Sequence, residues 1–156
     1  MAKVYEYIAD GSEEIEALTV VDVLRRAGVE VVTVSINETA EVTMSHGVLM
    51  TCDTTVAAAD VSDADMLLIP GGLPGATNLN DCEAVRKALL RQFEQGKKVG
   101  AICAAPLVLG SLGILQGKRA TCYTGFENQM TGAEYTGDVF TVDGNVITGE
   151  GPAATL

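Results

Sequence analysis

The chain has 156 residues and a formal charge of −11, from 10 Lys and Arg against 21 Asp and Glu, with no basic cluster. That balance argues against electrostatic binding to nucleic acid or to an anionic membrane and leaves small ligands and protein partners. Apolar residues make up 47%, aromatic residues only 4%, and Trp is absent, so the core is built from Val, Leu, Ile and Ala, a mix that favours an α/β layer fold in a single domain.

The cysteines, Cys52, Cys82, Cys103 and Cys122, have no CxxC spacing, and His46 is the only histidine. A zinc site is therefore not expected. The opening stretch MAKVYEYIAD enters a strand pattern directly, without a charged and then apolar leader, and no segment reaches about 18 consecutive apolar residues. The expectation is a cytoplasmic protein with reduced thiols.

Lys3 to Ala9 reads as a first strand, and the turn Asp10-Gly11-Ser12 offers Ser12 as N-cap of a helix running to about Ala27, with Gly28 as its stop. At about 100° per residue, Glu16 shares a stripe with Val20, Val23 and Ala27. An acid on an apolar face calls for a raised pKa or a specific partner. Glu13 and Glu14 read as first-turn acids that complement the helix dipole. Val29 to Ser35 is a second strand, and Glu41 to Asp53 a hairpin whose turn, Ser45-His46-Gly47, holds the histidine. His46 is the default partner for a catalytic cysteine, but nothing in the sequence brings it to one, and it reads as a solvated turn residue.

Asp65 to Pro70 is a short buried strand, followed by a glycine-rich turn from Gly71 to Gly75 at the sheet edge where open parallel sheets bind ligands. The pattern is neither GxGxxG nor a phosphate loop. Asp81 to Gln95 is an amphipathic helix. Lys97 to Ile102 then runs through small and apolar residues as a buried parallel strand does, and Cys103 ends it. Ala104 and Ala105 allow a tight turn, and Pro106 suits the first turn of an apolar helix extending to Leu115. This is the pattern of a nucleophile elbow, which exposes a side chain on a strained strand-to-helix turn. A helix start beside the sulfur is expected to lower the thiol pKa and make Cys103 the most reactive of the four.

Lys118 to Tyr123 reads as a further strand that brings Cys122 and Tyr123 near this edge. Asp143-Gly144 signals a hairpin between Asp138 to Val142 and Asn145 to Thr148. A doubly wound sheet calls for one more amphipathic helix after it, which the remaining GPAATL does not supply. The bare face is expected to be covered by a partner subunit or by further polypeptide.

Three stretches, ADGSEEIEALTVVDVLRRAG (Ala9 to Gly28), LLIPGGLPGATNL (Leu67 to Leu79) and AICAAP (Ala101 to Pro106), fall in order along the chain. With them the whole chain resembles the ThiJ/PfpI superfamily, and within it the branch of the Parkinsonism-associated deglycase. The resemblance implies one flavodoxin-like, doubly wound α/β domain over residues 1–156 without the usual C-terminal helix. It implies a homodimer that needs neither metal nor cofactor. Cys103 would be the nucleophile and Glu16 its carboxyl partner. The N–H groups of Gly72 and Ala104 would hold the developing oxyanion, at about 3 kcal/mol per donor, and Gly71, Ala105, Cys122 and Tyr123 would flank the pocket.

The implied activity is that of a cysteine-dependent glyoxalase or deglycase acting on small 2-oxoaldehydes or their early protein adducts. The competing expectation is a redox-sensing or chaperone-like protein whose Cys103 becomes a sulfinic acid. A cysteine peptidase or amidase ranks third, for want of a Cys-His pair, and a flavin binder fourth. In two places the chain departs from these relatives. Thr121-Cys122-Tyr123 stands where many have a Thr-Thr-His type stretch, and Glu150 stands where Arg or Gln often precedes Gly-Pro.

Overall fold

The computed structural model describes residues 1–156. A seven-stranded sheet in the order β10-β11-β7-β6-β1-β2-β5 forms its centre, parallel except for the β10–β11 hairpin. Its strands are β1 (Lys3–Ile8), β2 (Glu30–Ser35), β5 (Thr54–Thr55), β6 (Met66–Ile69), β7 (Lys98–Ile102), β10 (Phe140–Asp143) and β11 (Val146–Gly149). The helices are α1 (Glu14–Arg26), α2 (Gly75–Asp81), α3 (Glu83–Glu94) and α4 (Pro106–Ser111). The hairpin β3 (Glu41–Thr43) and β4 (Leu49–Thr51) stands apart, as does the short parallel pair β8 (Arg119–Ala120) and β9 (Glu134–Tyr135). This is the doubly wound, mostly parallel α/β sandwich expected.

Alternation along β1 divides the interior. Tyr5 and Tyr7 join the main core with Leu67, Leu79, Leu89, Val99 and Leu109, a set drawn also from α2, α3 and α4. Val4 and Ile8 face the opposite way, into two smaller clusters that include Ala17 and Val21 of α1. The same alternation sends Glu6 into the α1 face, where it is 2% exposed.

Several expectations needed correction. The N-cap of α1 is Glu13, whose carboxylate accepts the Glu16 N–H, while Ser12 Oγ accepts the Ala9 N–H instead. The buried stripe of α1 is turned toward Ala17 and Val21, leaving Val23 and Ala27 exposed, because Ala17 packs with Ile8 of β1 and Val21 with Val4 of β1 and Val31 of β2. Of the glycine-rich turn only its last residue, Gly75, is helical, as the start of α2. The Lys118 to Tyr123 strand shrinks to Arg119–Ala120 and pairs with β9, away from β7. After β11 the chain makes only a 3-10 turn, Pro152–Ala154. Beside it an apolar cavity of about 230 Å³ opens on the α1 face, bounded by Glu6, Glu16, Val20, Leu24, Phe140 and Ile147.

Candidate active site

β7 delivers Cys103 at its C-terminal end, two strands inside the β10 edge. Cys103 has φ +63°, the sole non-glycine residue with positive φ. Such a conformation costs roughly 1 kcal/mol or more for an L-residue, and the surroundings hold it in place. The Cys103 N–H donates to Gly149 O at 2.9 Å, and its carbonyl accepts the Tyr123 N–H at 2.9 Å. The backbone thus carries the sequence signature of an elbow in full.

α1 brings Glu16 to the same point. Its carboxylate is fully buried, and Oε2 accepts the Gly71 N–H at 2.8 Å. Oε1 has no hydrogen-bond partner, and the titratable group it acts on across Gly71 is the Cys103 thiol. Gly71 lies between the two. A methyl group there would sit 2.5 Å from Glu16 Oε2 and 2.6 Å from Cys103 Cβ, so only glycine lets the acid and the thiol approach.

Burial pushes the Glu16 carboxyl up and the nearby Glu13 charge adds to it, while Cys103 and the Gly71 N–H oppose; the outcome is about 7. Burial also pushes the Cys103 thiol up, reinforced by the Glu16 charge and hydrogen bond and opposed by the N–H groups of Gly72 and Ala104, to about 12. The lowered thiol pKa expected from sequence is therefore not what the site provides. α4 has only six residues and starts three positions beyond the sulfur, so its dipole is small beside desolvation and a carboxylate in contact. Glu16 is thus the group that changes state near neutrality. When it holds the proton, its charge no longer opposes a thiolate, and the two N–H groups remain to stabilise one.

The N–H groups of Gly72 and Ala104 both act on the Cys103 sulfur, opposing the upward push of burial. Ala105 and Cys122 are buried in the core behind the elbow, whereas Tyr123 is 49% exposed, with its ring beside Gly151. His46 remains outside the pair. Its Nδ1 lies 2.8 Å from Glu14 Oε2 and 3.9 Å from Glu13 Oε1. Glu13, Glu14 and His46 do bring potential metal-ligand atoms within 4.8 Å of one another. Both Glu14 oxygens are already engaged by Ser45 and His46, and one Glu13 oxygen, Oε2, by the Glu16 N–H. Sequence reasoning missed Glu13, although an acceptor three residues before Glu16 is the capping-box spacing and could have exposed it.

Fold and site together define a class: α/β sandwiches with a cysteine on a strand-to-helix elbow and a buried carboxyl from the first helix beside it. The chain belongs to the DJ-1/PfpI family, whose profile matches residues 2–156. It is 36% identical over 156 residues to Protein DJ-1 homolog B of Arabidopsis thaliana, covering 99% of this chain but 36% of the plant protein, so it spans little more than a third of that relative's length. It is 35% identical to the glutathione-independent glyoxalase DJR-1.2 of Caenorhabditis elegans, covering 94% of this chain and 78% of that one. Identity to Deglycase PH1704 of Pyrococcus horikoshii is 33%, covering 97% and 91%. Among solved structures, oxidized Toxoplasma gondii DJ-1 superposes with a TM-score of 0.95 at 38% identity, covering 99% of this chain and 85% of that one.

Proposed function

We propose that the protein is a cysteine-dependent enzyme of glyoxalase or deglycase type, acting without metal or cofactor on small 2-oxoaldehydes or on their early adducts with proteins. The observation that carries this reading is a buried carboxyl separated only by Gly71 from a thiol on a strained elbow. As the Cys103 sulfur bonds to the aldehyde carbon, the carbonyl π pair moves to oxygen. The carboxyl proton of Glu16 then passes to that oxygen, giving a hemithioacetal. The Gly72 and Ala104 N–H groups are the donors at hand for the developing charge. With methylglyoxal, transfer of a carbon-bound proton by Glu16 and hydrolysis of the resulting thioester would release lactate, a net addition of one water. The relatives named glyoxalase and deglycase support the class of substrate.

The test is lactate formation from methylglyoxal by wild type against Cys103→Ser. Lactate formation by wild type that is lost in the variant is expected. Equal rates in the two proteins would remove Cys103 from the reaction.

A second reading draws on the same contacts. A protonated Glu16 and two N–H groups around one sulfur also suit a Cys103 sulfinate, as in a redox sensor or a chaperone-like protein, and the Toxoplasma relative was solved in oxidized form. Stoichiometric oxidation without turnover would favour it. We further read the chain as a cytoplasmic homodimer. All four cysteines are free, no helix is long and apolar enough to cross a membrane, and Ile15, Leu18 and Val23 of α1 and Leu49 of the β3–β4 hairpin lie exposed.

A further inference from the structure

The N-cap residue of α1 is bonded into the site at both ends. Glu13 Oε2 accepts the Glu16 N–H at 2.8 Å, and the Glu13 N–H donates to the Gly71 carbonyl at 3.0 Å. The Gly71 N–H in turn donates to Glu16 Oε2 at 2.8 Å. The three bonds close a circuit through Glu13, Glu16 and Gly71. Gly72, one residue on, packs directly against the cap. A methyl group at Gly72 would lie 2.6 Å from the Glu13 nitrogen and 3.0 Å from its Cβ.

Building on the reading of Cys103 and Glu16 as the working pair, we propose that Glu13 is the positioning residue of that pair. It holds the Gly71–Gly72 loop against the first turn of α1, so that the two loop N–H groups meet the Glu16 carboxylate and the Cys103 sulfur. Without the cap the loop would lose its tie to the helix, and the Gly72 donor its fixed direction.

Glu13 also acts through its charge, which pushes Glu16 upward. The charged and titratable groups around it are Glu14 and Glu16 on its own helix, His46 from the hairpin turn, 3.9 Å from its Oε1, and Cys103 across Gly72. No Lys or Arg pairs with it. Geometry and charge can be separated by two substitutions, because Glu13→Gln keeps an oxygen for the cap and deletes the charge, whereas Glu13→Ala deletes both.

The readouts are the midpoint of the Glu16 carboxyl, followed by 13C NMR on glutamate-labelled protein with Glu16→Gln identifying the signal, and the rate of Cys103 labelling by iodoacetamide. Glu13→Gln is expected to move the Glu16 midpoint to lower pH by about 0.5. Glu13→Ala is expected to label Cys103 about tenfold more slowly at pH 7.5 than Glu13→Gln does, since the two share their charge and differ in the cap. Equal labelling in two folded variants would overturn the proposal, and an unmoved midpoint in Glu13→Gln would remove the charge effect from it. If Glu13→Ala does not fold, Glu13→Gly, which also lacks the acceptor and is better tolerated at an N-cap, takes its place in the labelling comparison. No readout uses turnover, so a wild-type protein inert toward methylglyoxal would sink the proposed function and leave these outcomes intact.

Discussion

Burial by itself would make Cys103 a poor nucleophile and Glu16 a costly occupant of the core. Side by side they act on each other, because the Glu16 charge pushes the thiol up and a protonated Glu16 no longer does. Two substitutions probe this. Gly71→Ala adds one carbon where the acid and the thiol meet. The resulting displacement is expected to cost about 1–3 kcal/mol of stability and to slow Cys103 labelling, as read by chemical denaturation and mass spectrometry. Glu16→Gln removes the charge that holds the thiol up, so the Cys103 midpoint, followed by thiolate absorbance, is expected to fall below the wild-type value. An unchanged midpoint would mean that the two groups are not in communication.

The elements that carry the pair differ in how far their sequences declare them. β7 and the elbow are legible residue by residue, since small apolar residues, a lone cysteine and a following proline leave few alternatives. The role of Glu16 is legible from its place on a helical stripe, but the stripe itself is rotated from the simple periodic reading. Packing along β1 and β2 decides that rotation, and it lies outside any local window. The strand expected at Lys118 to Tyr123 fails for the same kind of reason. Tyr123 is held by one bond to the Cys103 carbonyl and not by a ladder. Glu6 shows the reverse case, an acid in the middle of β1 that strand alternation alone sends into the interior. Burial holds its carboxyl well above the usual range, against a partial pull from Arg25, and its Oε2 has no partner.

Both Glu6 and Glu16 bind protons more tightly in the folded chain than in the unfolded one, so the native state takes up protons and stability falls as pH rises. For Glu16 that decline runs from the ordinary carboxyl value of 4.5 to its raised value of about 7, and is on the order of 3.5 kcal/mol. Thermal melts are expected to give a lower Tm at pH 8 than at pH 5. Glu6→Leu, which replaces an unpartnered acid by an apolar side chain, is expected to raise the Tm at pH 8 and to flatten this dependence. A Tm that climbs from pH 5 to pH 8 would contradict both assignments.

At the scale of the whole molecule, α2, α3 and α4 cover one face of the sheet, while α1 alone stands over the other. That second face carries the apolar cavity beside Glu6 and Glu16, and the hairpin strand β10 leaves Phe140 and Val142 more than half exposed. Surface of this kind is ordinarily covered. Sedimentation of the 156-residue chain is accordingly expected to show self-association beyond its 16.2 kDa, and a compact, cooperatively melting monomer would contradict the expectation. Counting the lactate released from methylglyoxal per protein chain separates turnover by Cys103 and Glu16 from mere accumulation of modified cysteine. Many lactates per chain are expected for wild type, none for Cys103→Ser, and far fewer for Glu16→Gln with the fold retained. At most one equivalent from wild type, or undiminished release from Glu16→Gln, would contradict turnover by this pair.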